Sequence, residues 1–383
     1  MSGEKKGKTD FMLGNIACAE GALAAGCRFY AGYPITPASE IMEHLSKRIF
    51  QEGGSFLQTE DEISAIASVI GASWGGLKSM TATSGPGISL MQENIGLAVM
   101  TETPCVIVDV QRGGPSTGST SLHSQGDVIQ AKFGSHGDYP MIAIAPSSPQ
   151  EMFDQTIWAF NKAEKYRTLV FVLADRLVAH MSEQVYIPPE EEITLEDRKI
   201  LDSFHDKHQQ IFLDKGSVAP MPVFGKGLKA NVTGSSHLVD GFRDVASPEV
   251  MDYEVKTLRN KVENHRDDIV ITEEEYMDDA EVAFFSYGST YRAVLAGVMA
   301  GREEGLKAGS FRAVTLWPFP EKEIRELARR VKRIVVCENN LGQMYPFVKA
   351  AAAMEAEVSF MGPDLLGTLV KPSKVLETIR EVL

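Results

Sequence analysis

Three consecutive acids, Glu60, Asp61 and Glu62, open the stretch of this 383-residue chain whose residue types most suggest chemistry. They follow an apolar run at 55–59 and precede residues 63–74, whose small and apolar side chains predict a helix. Negative charge is favoured at a helix N-terminus, where it meets the macrodipole and the free N–H groups. That alone accounts for an acidic triplet and gives no single member a role. The helix behind it is less ordinary. Ala65, Ala67, Ser68, Gly71, Ala72, Gly75 and Gly76 forgo apolar burial, which lets another backbone or a flat ligand come close. One of the three acids is therefore a candidate buried working group.

Two more side chains invite the same attention. Thr36 sits in Tyr33-Pro34-Ile35-Thr36-Pro37, where Pro37 biases it toward extended backbone and Pro34 stiffens the loop. Such a loop is either a rigid turn or a way to hold one hydroxyl still. Arg112 is followed by Gly113-Gly114-Pro115-Ser116-Thr117-Gly118, neighbours that leave its planar fork to a carboxylate or to solvent. Ser84-Gly85-Pro86-Gly87 is a turn into a helix at 88–100 that can cradle an anion, although the chain has neither a Walker P-loop nor a G-x-G-x-x-G opening. His123 and His136 lack metal-ligand spacing and read as surface or hydrogen-bonding residues.

These groups need a scaffold, and the chain alternates apolar strand-like runs with amphipathic helices. Runs at 28–32, 79–83, 105–111 and 169–174 are interleaved with helical segments, the last opened by the capping box Ser148-Pro149-Gln150-Glu151. Residues 10–185 thus predict an α/β domain built on a doubly wound parallel sheet, in which loops at the carboxyl ends of strands bind ligands. From 186 to 278 the chain turns charged and Pro/Gly-rich, predicting a connector with local structure that lies over a domain or a partner. Alternation resumes over 279–383 as a second, smaller α/β domain.

Composition narrows the class. A formal net charge of -14 with no basic stripe excludes nucleic acid as the main partner. No apolar run reaches membrane-spanning length, and residues 1–10 lack the apolar core of a signal peptide, so a cytoplasmic protein is expected. Cys18, Cys27, Cys105 and Cys337 are scattered, a pattern of buried thiols rather than of cluster or metal ligands.

Laid side by side, AGYPITPASE (31–40), EDEISAIASVIGASWGG (60–76), TATSGPGISLMQE (81–93), VDVQRGGPSTG (108–118) and ENNLGQM (338–344) resemble the alpha subunit of the 2-oxoacid:ferredoxin oxidoreductases. The likeness is nearest the branch acting on 2-oxoglutarate. It implies that the first domain binds the pyrimidine half of thiamine diphosphate and that the second is like the C-terminal domain of transketolase. By motif, Glu62 falls on the glutamate that contacts the aminopyrimidine ring, with Tyr33 and Pro34 beside the cofactor. A carboxyl group there promotes the imino tautomer, whose nitrogen takes the thiazolium proton, and an acid/base so placed contributes about 10²–10⁴-fold. Ala65, Ile66 and Val69 offer apolar surroundings that suit it. Thr36 and Arg112 fall where the family contacts the substrate's 2-oxo carboxylate.

The resemblance also implies what lies elsewhere. The chain has no GDG with a downstream Asn pair and no clustered cysteines, so the diphosphate–magnesium site and the iron–sulfur cluster are expected on a beta subunit, with gamma and delta subunits in some assemblies. Alone, the chain should be inactive. The expected reaction is oxidative decarboxylation of 2-oxoglutarate with coenzyme A, passing electrons to ferredoxin. A second carboxylate would want a cation, and 119–125 offers only His123; the cation then comes from the partner, or the substrate is a branched-chain or aryl oxoacid. A non-catalytic scaffold subunit is the reading from another class.

Overall fold

The computed structural model describes residues 7–204, 209–214, 216 and 218–383. Its main sheet runs Thr315–Trp317, Ile142–Ile144, Leu169–Asp175, Cys105–Gly113, Lys78–Thr83, Cys27–Gly32 and Ser55–Gln58. All neighbours are parallel except Thr315–Trp317, which adds antiparallel at one edge. The two central strands, CVIVDVQRG and LVFVLAD, are buried almost throughout, as parallel strands covered on both faces must be. Helices Glu62–Trp74 and Gly85–Met100 cover one face, and Gly14–Ala24, Ser39–Arg48 and Pro149–Tyr166 the other. The doubly wound sheet anticipated from the alternation is present.

Small residues in Gly14–Ala24 serve close packing. A Cβ on Gly21 would stand 2.5 Å from the Phe153 carbonyl oxygen, so the helix can lie this near Pro149–Tyr166 only with glycine there.

A second sheet, ordered Thr272–Glu275, Ala308–Ala313, Val282–Ser286, Arg333–Cys337 and Glu357–Met361, is parallel except for its first strand. The chain leaves it after Ala313 to place Thr315–Trp317 in the main sheet, and Trp317 Nε1 donates to the Val128 carbonyl at 2.9 Å. Sequence patterning did not foresee this exchange, because a three-residue edge strand has no readable period.

The connector lies on the main sheet's layers, tied by buried charge. Arg198 Nε donates to Glu164 Oε2 at 2.7 Å and Nη1 to the Ser73 carbonyl at 3.0 Å. Lys261 Nζ, on the helix Pro248–Glu263, donates to Glu102 Oε2 at 2.7 Å and to the Arg167 carbonyl. Burial opposes charge on Glu102, but Lys261 and Arg167 outweigh it and hold the carboxyl below its usual range.

Two local readings change. The helix expected from residue 88 begins at Gly85, with Pro86 in its first turn, where a missing N–H costs nothing. Residues 119–123, which carry no strand signal in the sequence, form a strand antiparallel to the end of Cys105–Gly113, with Arg112 opposite His123.

Candidate active site

Cys27–Gly32 is flanked by Ser55–Gln58 on one side and Lys78–Thr83 on the other, so the chain reverses its direction of travel across the sheet at that strand. The crevice at the carboxyl ends of such strands is where open α/β sheets bind ligands. The loop 33–37, the acids 60–62 and the turn 84–87 all leave these ends.

The three acids divide the labour. Asp61 caps the helix, its Oδ1 accepting from the Ser64 N–H at 2.7 Å, and Glu60 is exposed. Glu62, the first helical residue, is 4% exposed and turns inward. Its Oε1 accepts from Thr83 Oγ1 at 3.2 Å, and Oε2 has no hydrogen-bond partner among the described residues. A Cβ on Gly87 would stand 2.4 Å from Glu62 Oε1 and 2.0 Å from Thr83 Oγ1, so glycine is what lets the carboxyl lie against the start of Gly85–Met100. Ala65, Ile66 and Val69 behind it are fully buried. The helix's small-residue face points the other way: Ala67, Gly71 and Gly75 are exposed, and nothing lies within 4 Å of where a Gly71 Cβ would be.

Arg112 is no solvated loop residue. It is 7% exposed, with Nη1 donating to the Thr36 carbonyl at 2.6 Å and Nη2 to the Thr117 carbonyl at 2.8 Å. It makes no ion pair with a carboxylate among the described residues, and its Nε is buried without a partner. The guanidinium therefore fixes two loops to each other while its charge stays uncompensated by direct contact. Thr36, Tyr33 and Pro34 are exposed on the same loop, Tyr33 at 41%, and the Thr36–Pro37 peptide is cis.

His123 is buried, with Nε2 3.3 Å from Ser289 Oγ and Nδ1 3.8 Å from Asp175 Oδ1. It belongs to the seam between the two sheets. Gln125 fills that seam, donating to Asp175 Oδ2 and the Tyr287 carbonyl and accepting from Thr290 Oγ1 and the Asn339 N–H. Asn340 Nδ2 donates to the Gln125 carbonyl at 2.6 Å, and Glu338 accepts from Tyr287 and from the Met344 and Tyr345 N–H groups. His136 is a surface residue 3.8 Å from Glu93.

A cavity of about 610 Å³ lies apart from all these groups, between the connector and the end of Gly85–Met100, lined by Met100, Phe212, His237, Tyr253 and Leu258. None of the candidate site residues lines it.

A family profile described as pyruvate flavodoxin/ferredoxin oxidoreductase, thiamine diphosphate-binding, matches residues 20–257, and one for core domain II of pyruvate:ferredoxin oxidoreductase matches 280–375. The chain belongs to the 2-oxoacid:ferredoxin oxidoreductase family. It is 50% identical to the 2-oxoglutarate synthase subunit KorA of Methanothermobacter marburgensis over 369 residues, which is 96% of this chain and 98% of that one. A solved 2-oxoglutarate:ferredoxin oxidoreductase from Magnetococcus marinus, with 2-oxoglutarate, coenzyme A and succinyl-CoA bound, superposes with a TM-score of 0.91 at 34% identity. That match covers 97% of this chain and 65% of that one. A split-gene transketolase, at 11% identity and a TM-score of 0.58 over 98% of this chain and 99% of that one, shares the fold. The chain is thus an oxidoreductase subunit with a thiamine diphosphate-binding domain, as its motifs implied.

Within this family member, Thr83 and Gly87 are the site residues that sequence reasoning missed. The signal was there: a threonine ending a buried strand, then Ser-Gly-Pro-Gly at a helix start. It was read as an anion cradle because nothing in the sequence joins residue 87 to residue 62.

Proposed function

We propose that this chain is the alpha subunit of a 2-oxoglutarate:ferredoxin oxidoreductase, converting 2-oxoglutarate and coenzyme A to an acyl-CoA and CO2 with reduction of ferredoxin, in the cytoplasm. The observation that carries this reading is Glu62, a buried carboxyl with one oxygen held by Thr83 and the other unengaged, at the sheet's switch point. The donor set fits a pyrimidine ring: one carboxyl oxygen to meet a ring nitrogen, a stiff exposed loop (Tyr33, Pro34) beside it, and apolar side chains behind.

Thiamine diphosphate, when bound, supplies a nucleophilic carbon and an electron sink. Glu62 Oε2 would meet the ring and pass a proton to and from it. Arg112 and the Thr36 hydroxyl orient the substrate's 2-oxo carboxylate, and Arg112 also fixes the Thr36 loop. The diphosphate with its magnesium, and the iron–sulfur cluster, fall to a beta subunit, with gamma and delta subunits, ferredoxin and coenzyme A completing the system. The exposed face of Ala67, Gly71 and Gly75 suits close approach by such a chain. We place the divisions of the chain at 10–185, 186–278 and 279–383.

Burial of His123 against Asp175 and Ser289 supports a second reading of the substrate. A 2-oxoacid without a second carboxylate needs no further cation, whereas 2-oxoglutarate takes one from the partner. Co-purification with the partner subunit, followed by dye reduction with coenzyme A and a panel of oxoacids, tests both. Preferential turnover of 2-oxoglutarate supports the first reading, and preference for a branched-chain or aryl oxoacid the second. No coenzyme A-dependent reduction with any oxoacid overturns the proposal.

A further inference from the structure

Asn15 is fully buried on the helix Gly14–Ala24, whose buried face is otherwise Gly, Ala, Cys and Leu. An asparagine near a helix start ordinarily bonds to backbone close by in sequence. This one reaches across 22 positions: its Nδ2 donates to the Pro37 carbonyl at 2.7 Å, and also to Glu40 Oε2 at 2.7 Å. Pro37 is buried and has no N–H to offer, so its carbonyl is the one main-chain group through which it can be hydrogen-bonded. That carbonyl has a second donor in His180 Nε2 at 3.3 Å. A carbonyl only accepts, so the imidazole hydrogen sits on that nitrogen. His180 ends the short helix Arg176–His180. Gly14 lets the two helices meet there: a Cβ on it would stand 2.1 Å from the Val178 carbonyl oxygen, and its N–H donates to the Met181 carbonyl at 3.1 Å. The loop carrying Thr36 is thus held at two consecutive carbonyls, Thr36 by Arg112 and Pro37 by Asn15 and His180.

We propose that Asn15 and His180 are positioning residues for the oxoacid: by holding the Pro37 carbonyl they fix the Thr36 hydroxyl where it meets the substrate's 2-oxo carboxylate. The inference rests on the role proposed above for Thr36. An anchor at Thr36 alone leaves the loop free to pivot about that point, and a second anchor one residue on removes the freedom. The residue type fits the task. A carboxamide nitrogen supplies two hydrogens from one point, here to a carbonyl and a carboxylate, whereas an aspartate of the same shape offers none when ionised.

The test is steady-state kinetics of the assembled enzyme, with 2-oxoglutarate and coenzyme A varied in turn. Asn15→Ala should raise the KM for 2-oxoglutarate about tenfold, equivalent to about 1.4 kcal/mol, and leave the KM for coenzyme A unchanged. His180→Ala should raise it about threefold, and His180→Gln, which keeps a donor, should restore it. In a Thr36→Val background the effect of Asn15→Ala should vanish, because the hydroxyl it places is no longer there. A merely structural role would lower the active fraction, and so kcat, without singling out one substrate's KM. A wild-type KM for 2-oxoglutarate in assembled Asn15→Ala overturns the inference. So does an equal rise for both substrates, or a rise that persists in full beside Thr36→Val. If Asn15→Ala does not assemble, His180→Ala decides on the same criteria, since that side chain is 28% exposed and can be truncated without emptying the core. Thr36→Val alone separates the two levels. An unchanged KM in that variant sinks the role of Thr36 and the inference with it, whereas a raised KM beside a wild-type KM in Asn15→Ala sinks the inference alone.

Discussion

Arg112 Nη1 donates to the Thr36 carbonyl oxygen at 2.6 Å, joining the carboxyl-terminal end of Cys105–Gly113 to the loop after Cys27–Gly32, 76 positions away. The same guanidinium holds the Thr117 carbonyl, so one side chain spans both loops bordering the crevice. Lysine keeps the charge but cannot reach both carbonyls with a planar fork. Arg112→Lys should therefore raise the KM for the oxoacid by roughly 10-fold or more, with a fall in kcat as the Thr36 loop loosens. Steady-state kinetics of the assembled enzyme checks this, and a wild-type KM would show that charge alone suffices.

Gly87 is the position where one methyl group should matter most. In Gly87→Ala the new Cβ would collide with both Glu62 Oε1 and Thr83 Oγ1, so the carboxyl must swing away. A displacement of about 1 Å at such a group costs on the order of 10²-fold in turnover. Turnover should fall by that amount while circular dichroism and complex assembly stay unchanged.

Gln125 has all its side-chain hydrogen-bonding atoms engaged across the seam between the sheets, so truncating it strands several buried partners at once. Gln125→Ala should lower stability by about 2 kcal/mol or more, since each orphaned buried group costs about 1–3 kcal/mol. A shift of the urea midpoint to lower concentration is the expected result. An unchanged midpoint would mean that the seam contributes little to holding the two sheets together.

How much of this was legible depended on whether the cause was local. The doubly wound sheet could be read because buried parallel strands such as 105–111 and 169–174 carry their signal in consecutive residues. The acidic triplet stood out because acids ahead of a small-residue helix are locally unusual, but only the family resemblance singled out Glu62, and the capping duty belongs to Asp61, one position earlier. Arg112 was legible as a candidate but not as a buried one, since its partners are backbone carbonyls, which leave no trace in residue types. The motif ENNLGQM marked the family, yet it did not show that Glu338 accepts from the Met344 and Tyr345 N–H groups, or that Asn340 joins the distant Gln125 carbonyl. His123 read as a surface or hydrogen-bonding residue, and that it is buried at this seam was not legible, because Ser289 and Asp175 are distant in sequence.

The central claim is that the Glu62 carboxyl works on a cofactor ring, and Glu62→Gln in the complex with its partner subunit tests it most directly. Glutamine is nearly the same shape and can still accept from Thr83, so folding and assembly should be unchanged while 2-oxoacid-dependent dye reduction falls at least about 100-fold. Turnover close to wild type in a properly assembled Glu62→Gln enzyme would contradict the account.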